Sequence, residues 1–299
     1  MNILVTGSTG LIGSALIPLL IANGHAVTRL VRSKPRPDAA EIHWDPVART
    51  LAMHDLEGMD AVVHLAGESI AGGRWTTAKK LRIQESRWKG TSVLVEHLSP
   101  LRQPPKVLVC ASAVGYYGDR GGELLSEESA PGSGFLADTC RNWEAVAEPA
   151  VRRGIRVVHL RTGIVLSSSG GALGKMLLPF RLGLGGKVGS GRQYMSWIAM
   201  DDLLGVIQHA ISNDTIRGAV NAVAPHPVTN LEFTKTLGKV LSRPTIFPLP
   251  AFAARLALGE MANELLLAST RVQPARLQSS GFVFRYPELE GALRHVLGK

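Results

Sequence analysis

Residues Met1 to Leu20 read MNILVTGSTGLIGSALIPLL, an apolar run, three glycines spaced Gly7-x-x-Gly10-x-x-Gly13, and a second apolar stretch at helical spacing. Ile3, Leu4 and Val5 suit a strand buried on both faces, as in a parallel sheet covered by helices. Gly7 permits a tight turn, Gly10 lets backbone come close to a pyrophosphate, and Gly13 lets the next helix pack tightly on the strand. Leu11, Ile12, Ala15, Leu16, Leu19 and Leu20 continue as that helix, and Gly24-His25 closes the unit before the next strand. The first N–H groups of such a helix lack intrahelical partners and sit at its positive end, so they attract phosphate. With 32 glycines in the chain, three at this spacing would mean little alone. The strand before them and the helix after them supply the meaning.

Outward from this unit, strand and helix signals alternate. Strands are predicted at Ala26–Val31, Ala61–Ala66, Val107–Ser112 and Ile155–Leu160, with helices near Thr76–Leu98 and Phe135–Arg153. This is the pattern of an α/β protein with a doubly wound parallel sheet. From about Arg161 glycines cluster, followed by short segments punctuated by Pro225, Pro227, Pro244, Pro248 and Pro250. The division predicted is a nucleotide-binding domain over residues 1–165 and a smaller C-terminal α+β substrate lobe over 166–299, with later segments returning to the sheet.

Composition narrows the class. The 299 residues, 45% of them hydrophobic, can bury one large core or a core with an annex. No apolar run approaches the ~20 residues that span a bilayer, so no membrane partner is expected. Met1 feeds directly into a strand, which fits neither a signal nor a transit segment, and Cys110 and Cys140 are read as reduced thiols in a cytoplasmic protein. The net charge of +9 is spread without a polybasic run, so it is read as an anion-attracting surface rather than a nucleic-acid site. His43-Trp44-Asp45 and His54-Asp55 carry metal-capable groups, but the nine histidines form no ligand spacing, and no metal is expected. The partner expected is a small-molecule substrate, with a homodimer left open.

The end of the second strand selects the dinucleotide. An acid about twenty residues past the glycine turn binds a ribose 2′-hydroxyl and repels a 2′-phosphate. Here Arg32 stands nineteen residues beyond Gly13, with Arg29, Ser33 and Lys34 nearby, and Asp38 is the first acid. A guanidinium pairs with phosphate in a two-pronged way and stacks on adenine. NADP(H) is therefore favoured over NAD(H).

Three segments together resemble an extended short-chain dehydrogenase/reductase: Thr6-Gly7-Ser8-Thr9-Gly10-Leu11-Ile12-Gly13, His64-Leu65-Ala66-Gly67, and Ser112-Ala113-Val114-Gly115-Tyr116-Tyr117-Gly118. Arg74-Trp75, Glu85-Ser86-Arg87, the block from Met176 to Gly186, Gly259-Glu260-Met261-Ala262, Gly281-Phe282-Val283-Phe284 and Tyr286-Pro287 narrow it to the atypical, YfcH-like epimerase family. The resemblance covers essentially the whole chain and implies a Rossmann-type fold with a nicotinamide dinucleotide across the carboxyl ends of the strands. It assigns Gly7, Thr9, Gly10, Leu11, Ile12 and Gly13 to the phosphate turn and Arg32 with Ser33 to the 2′-phosphate. Leu65, Ala66 and Gly67 would pass the adenine-side ribose and pyrophosphate, Arg87 would reach the cofactor, and Thr162, Gly163 and Ile164 would approach the nicotinamide. For Arg87 the sequence offers equally a charged helix face shared with Lys79, Lys80, Arg82 and Lys89.

Catalysis is where the chain departs from its relatives. Their Tyr-x-x-x-Lys pair places an ammonium one helical turn from a phenol, lowering its pKa for proton exchange. The four tyrosines here are followed at position plus four by Arg120, Gly121, Ile198 and Glu290, so the pair is absent. On the helix that should bear it, one register with the usual acid at Glu144 puts Leu136 and Cys140 in its places, and a shift by one gives Phe135 and Thr139. Ser112, Tyr116 and Tyr117 are then the nearest candidate proton donors. The activity implied is an NADP(H)-dependent oxidoreductase or epimerase on a small carbonyl or hydroxyl compound, the alternative being a catalytically degenerate NADP(H)-binding regulatory protein. Asp201 reads as an N-cap, and the resemblance puts Tyr194 or Trp197 at a pocket near the substrate lobe, with core packing the favoured reading of Trp197.

Overall fold

A computed structural model describes residues 1–299. The first half alternates strand and helix. It runs β1 (Asn2–Thr6), α1 (Leu11–Ala22), β2 (Ala26–Val31), β3 (Glu41–Asp45), β4 (Thr50–Leu51), β5 (Ala61–His64), α2 (Thr77–Leu98) and β6 (Val107–Ala113). A short β7 (Leu124–Leu125) precedes α3 (Phe135–Ala145), α4 (Glu148–Arg152) and β8 (Arg156–Thr162). The remainder is finer grained: β9 (Ile164–Leu166), α5 (Gly171–Arg181), β10 (Tyr194–Met195), β11 (Trp197–Ala199), α6 (Met200–Ser212), β12 (Gly218–Ala222), β13 (Val228–Thr229) and α7 (Asn230–Leu241). The chain ends with α8 (Ala251–Leu258), α9 (Glu260–Ala262), β14 (Arg271–Val272), α10 (Ala275–Ser279) and α11 (Leu289–Leu297).

One sheet of eight strands carries the architecture, in the order β12-β8-β6-β5-β1-β2-β3-β4. Its pairs are parallel except β3 with β4. Alternation along each strand sends Ile3 and Val5 to one face, where α1 and α6 cover them with Leu16, Leu20, Val206 and Ile207. Leu4, Val62 and Leu108 face the other way, under Leu94, Leu98, Ala147 and Ala150 of the α2–α4 side. Both faces are therefore dry, as a parallel sheet requires. A separate core around Leu173, Leu177, Phe180, Trp197, Phe233, Leu237 and Leu293 holds the smaller lobe together.

Three expectations are revised. Strands β3 and β4 are not anticipated: β3 is five residues long, and Trp44 is its one fully buried side chain, with Ile42 packed partly beside it. The expected helix over Phe135–Arg153 is two helices, because Pro149 in the first turn of α4 has no N–H to continue the α3 ladder. Asp201 caps nothing; α6 begins directly after β11 with Ala199 at the cap, and Asp201 instead contacts His295. Its neighbour Asp202 is buried and accepts the backbone N–H groups of Arg285 and Tyr286, which ties the C-terminal segment to α6.

Candidate functional site

The chain leaves β1 toward β2 on one side and returns at β5 on the other, so the crevice between the ends of β1 and β5 is the point where the sheet reverses its winding. Gly7 sits there with φ +67°, and a Cβ on it would stand 2.7 Å from the Leu65 carbonyl carbon and 2.8 Å from the Ala66 nitrogen. No larger residue fits so narrow a seam. Gly13 packs against the Gly7 carbonyl at the start of α1. The first intrahelical bond of α1 is from Ser14 to the Gly10 carbonyl, and Gly10 offers no side-chain cap, so the N–H groups of Leu11, Ile12 and Gly13 are left free. Thr9 and Gly10 are exposed at the tip of this turn.

Beneath the crevice runs a buried polar chain. The Thr6 hydroxyl accepts the N–H groups of Leu65 and Ala66, each at 3.1 Å, and lies 2.8 Å from His64 Nδ1. Having accepted twice, it donates to Nδ1, which leaves the His64 proton on Nε2 to be donated to Thr91 Oγ1 at 3.0 Å. Trp143 Nε1 also donates to Thr91 Oγ1, at 2.9 Å. Burial lowers the His64 pKa to about 4, so the ring is neutral and this tautomer persists at neutral pH. The turn, the β5 loop, α2 and α3 are thereby held in one frame.

The other dinucleotide candidates arrange themselves around this seam. Arg32 and Ser33 are exposed just past β2, and Arg32 makes no ion pair, whereas Arg36 is bound to Glu41. Gly67 lies on the guanidinium of Arg87, 3.5 Å from where its Cβ would be. Arg87 donates to the carbonyls of Glu68 and Ile83 and covers the Trp143 ring, so it braces the β5 loop and does not share the outer charged face. Burial pulls its pKa below the usual value. Lys79, also turned inward, donates to Glu68 at 2.5 Å, and that hydrogen bond holds the Glu68 carboxyl below its usual range, with Arg82 and Arg32 adding at longer reach. Thr162 and Gly163 lie where the chain leaves β8, and Gly163 is pressed against the Ser196 carbonyl, with no room for a side chain. Ile164 is already in β9, its N–H bonded to that same carbonyl.

At the end of β6 the arrangement changes. Sheet register places Ser112, Arg161 and Asn221 side by side on β6, β8 and β12. Ser112 Oγ donates to Glu144 Oε1 at 2.7 Å, and Arg161 grips Glu144 in a bidentate pair at 2.9 and 2.8 Å. Arg161 also donates to the Tyr117 hydroxyl at 3.0 Å, which donates onward to Asn221 at 2.7 Å. Tyr117 is fully buried, and burial leads the rise in its pKa. Ser112 and Tyr117, both candidate proton donors, are thus committed to other side chains. Tyr116 differs: the Arg161 guanidinium lies 3.4 Å over its ring, its carbonyl binds Gly132, and its hydroxyl has no partner within the chain.

The face of α3 turned to this loop carries Leu136, Cys140 and Glu144 one turn apart, Leu136 packing on Gly115 and Cys140 beside Ser112 and Ala113. These are the residues of the first of the two registers read from the sequence, so the side chains turned to the loop are a leucine and a thiol rather than a phenol and an ammonium. Burial pushes the Cys140 thiol up to about 11, and it stays protonated at neutral pH. The network through Arg161 and Asn221 escaped sequence reading because its members lie on strands far apart in the chain. The one available signal was a run of polar residues at the ends of buried strands. Trp197 is core, and Tyr194 is covered by Arg271 at 4.8 Å.

Comparison with known proteins finds relatives over the whole chain. A profile of the NAD dependent epimerase/dehydratase family matches residues 3–222, and a domain of unknown function (DUF1731) matches residues 249–296. An epimerase family protein of Mycobacterium bovis is 43% identical, covering 98% of this chain and 96% of its own length. Human epimerase family protein SDR39U1 is 40% identical over 99% of this chain and 100% of its own. The crystal structure of that human protein with NADPH superposes with a TM-score of 0.91 at 38% identity, over the full length of both chains. A nucleoside-diphosphate sugar epimerase from Corynebacterium glutamicum gives 0.83 at 40% identity, covering all of this chain and 58% of the other.

Proposed function

The chain belongs to the NAD dependent epimerase/dehydratase family, and we propose that it is an NADP(H)-dependent oxidoreductase or epimerase-like enzyme acting on a small carbonyl or hydroxyl compound. The observation that carries this reading is the set of free N–H groups on Leu11, Ile12 and Gly13, opening beside a seam that only Gly7 can fill. Those residues fit a pyrophosphate, and unpaired Arg32 fits a 2′-phosphate. The similar human protein was crystallised with NADPH, which supports the same choice here. The dinucleotide, when bound, supplies or takes the hydride. Of the residues near the end of β6, Tyr116 is the one with a hydroxyl free to exchange a proton with substrate, directly or through water.

Incubation of the protein with NADPH and a broad carbonyl panel is expected to consume NADPH, and a flat absorbance trace across that panel would overturn the enzyme reading. Tyr116→Phe is expected to cut turnover on the order of a hundredfold with NADPH affinity unchanged, whereas Tyr117→Phe lowers the melting temperature. The second reading, an NADP(H)-binding regulatory protein without catalysis, is favoured by the absence of a Tyr-x-x-x-Lys pair and by Leu136 and Cys140 facing the loop after β6. It predicts partner retention that changes with NADPH and no turnover in the panel.

A further inference from the structure

The smaller lobe exposes large apolar side chains on two segments that its backbone links together. On α5, Leu173, Leu177 and Phe180 enter the lobe core, while Leu178 and Leu182, one turn apart, remain 65% and 64% exposed. The chain after α5 is stitched to the segment before α8. Arg243 Nε donates to the Arg181 carbonyl, Gly183 packs on Pro244, and Leu249 exchanges backbone bonds with Lys187 and Gly189. Exposed Leu184 thereby joins Ile246 and Phe247, and these lead directly into α8. There Phe252 and Leu256, again one turn apart, are 72% and 76% exposed. Large apolar side chains exposed in this number along two linked segments mark an interaction site.

Its charge is one-sided. Residues 171–199 and 233–259 together carry eight Lys and Arg and no Asp or Glu, against a net +9 for the whole chain. Arg181, Arg192, Arg243 and Arg255 are exposed and make no ion pair. Of the eight, Lys239 is paired with Glu290, and the other near carboxylates are engaged: Glu232 in the capping box of α7, Glu260 with Lys80, and Glu264 on the first turn of α3. Apolar side chains interspersed with free cations match a surface that is negative outside and apolar beneath. A second copy of the chain would bring like charges together.

We propose that the face formed by α5, the Arg181–Arg192 segment and α8 docks on an anionic lipid bilayer. The absence of a spanning segment does not bear on this, because the lobe lies on the surface and does not cross it. Lys175, on the same face of α5 as Leu178 and Leu182, reaches the Ala71 carbonyl in the loop after β5. The docked lobe therefore borders that loop.

The test is co-sedimentation of the full chain with phosphatidylcholine vesicles, with and without phosphatidylglycerol, beside an NADPH titration that reports an intact fold. Phosphatidylglycerol is expected to raise the bound fraction roughly tenfold, and high salt to remove most of the gain. Phe252→Ser with Leu256→Ser is expected to lower vesicle binding about tenfold, and Arg181→Gln with Arg192→Gln to flatten its salt dependence, both with NADPH binding unchanged. Equal binding to the two vesicle types, or variants that bind like the parent, would overturn the proposal. So would an apolar double variant that converts a dimer to a monomer while the parent ignores vesicles, which would make a second copy the occupant.

Discussion

At the end of β1 the chain leaves backbone N–H groups of Leu11, Ile12 and Gly13 without partners, whereas at the end of β6 it ties Ser112, Glu144, Arg161, Tyr117 and Asn221 to one another. The two regions face the same edge of one sheet. Free donors at a helix start are prepared for an anion. Side chains whose hydrogen bonds are already made inside the protein hold position and have little left to give a reactant. Holding a dinucleotide and transferring a proton are thus separable properties of this fold, and here the first is built more completely than the second.

The sharpest way to break that contrast is Glu144→Ala. It leaves the Arg161 guanidinium, 5% exposed, without its counter-charge, and a loss of about 3–5 kcal/mol in unfolding free energy is expected. Denaturant unfolding measures it, and NADPH affinity of the folded protein should hardly move. A variant of normal stability that no longer binds NADPH would show that the β6 region serves the dinucleotide after all.

The frame beneath the crevice gives a pH signature. Burial brings His64 from the usual 6.5 to about 4, so the unfolded chain takes up a proton first as pH falls. The stabilising contribution is complete above pH 6.5 and is lost progressively toward pH 4, amounting to roughly 3 kcal/mol at the acid end. Burial lowers His159 as well, which adds in the same direction. Unfolding curves across this range should show the decline, and its marked reduction in His64→Gln, with the smaller part left to His159, would assign it. A stability independent of pH between these limits would mean that the chain from Thr6 to Trp143 is not as dry as its geometry.

A finer cut separates the parts of the dinucleotide region. Arg32→Asp is expected to weaken NADPH by about 2 kcal/mol, some tens-fold, with a much smaller effect on NADH. Parallel titrations decide it. Equal losses for both dinucleotides would place Arg32 outside the 2′-phosphate site.

Much of the fold was legible because its signals are local. The β1 run, the glycine turn and α1 are adjacent in the chain, and β2 falls at Ala26–Val31 as the apolar pattern predicts. The lack of a Tyr-x-x-x-Lys pair is also a local fact. What stayed hidden depends on contacts between distant segments. Arg87 reads as one of several cations on a helix, and only the approach of Gly67 and Trp143 turns it inward. Asp201 looks like a cap until β11 runs straight into α6, which puts Ala199 at the cap position and Asp201 inside the first turn. Pro149 was visible in the sequence, yet its break between α3 and α4 was missed because the apolar periodicity continues across it.

By itself, then, the sequence determined the parallel sheet, the phosphate-seeking turn and the missing tyrosine and lysine, because backbone conformation and helix-end charge are set by neighbours a few residues apart. The tertiary structure alone decided which polar groups remain free. Ser112 and Tyr117 lose their availability to Glu144, Arg161 and Asn221, while Tyr116 keeps its hydroxyl, because strand register brings distant side chains within hydrogen-bond distance in a dry interior.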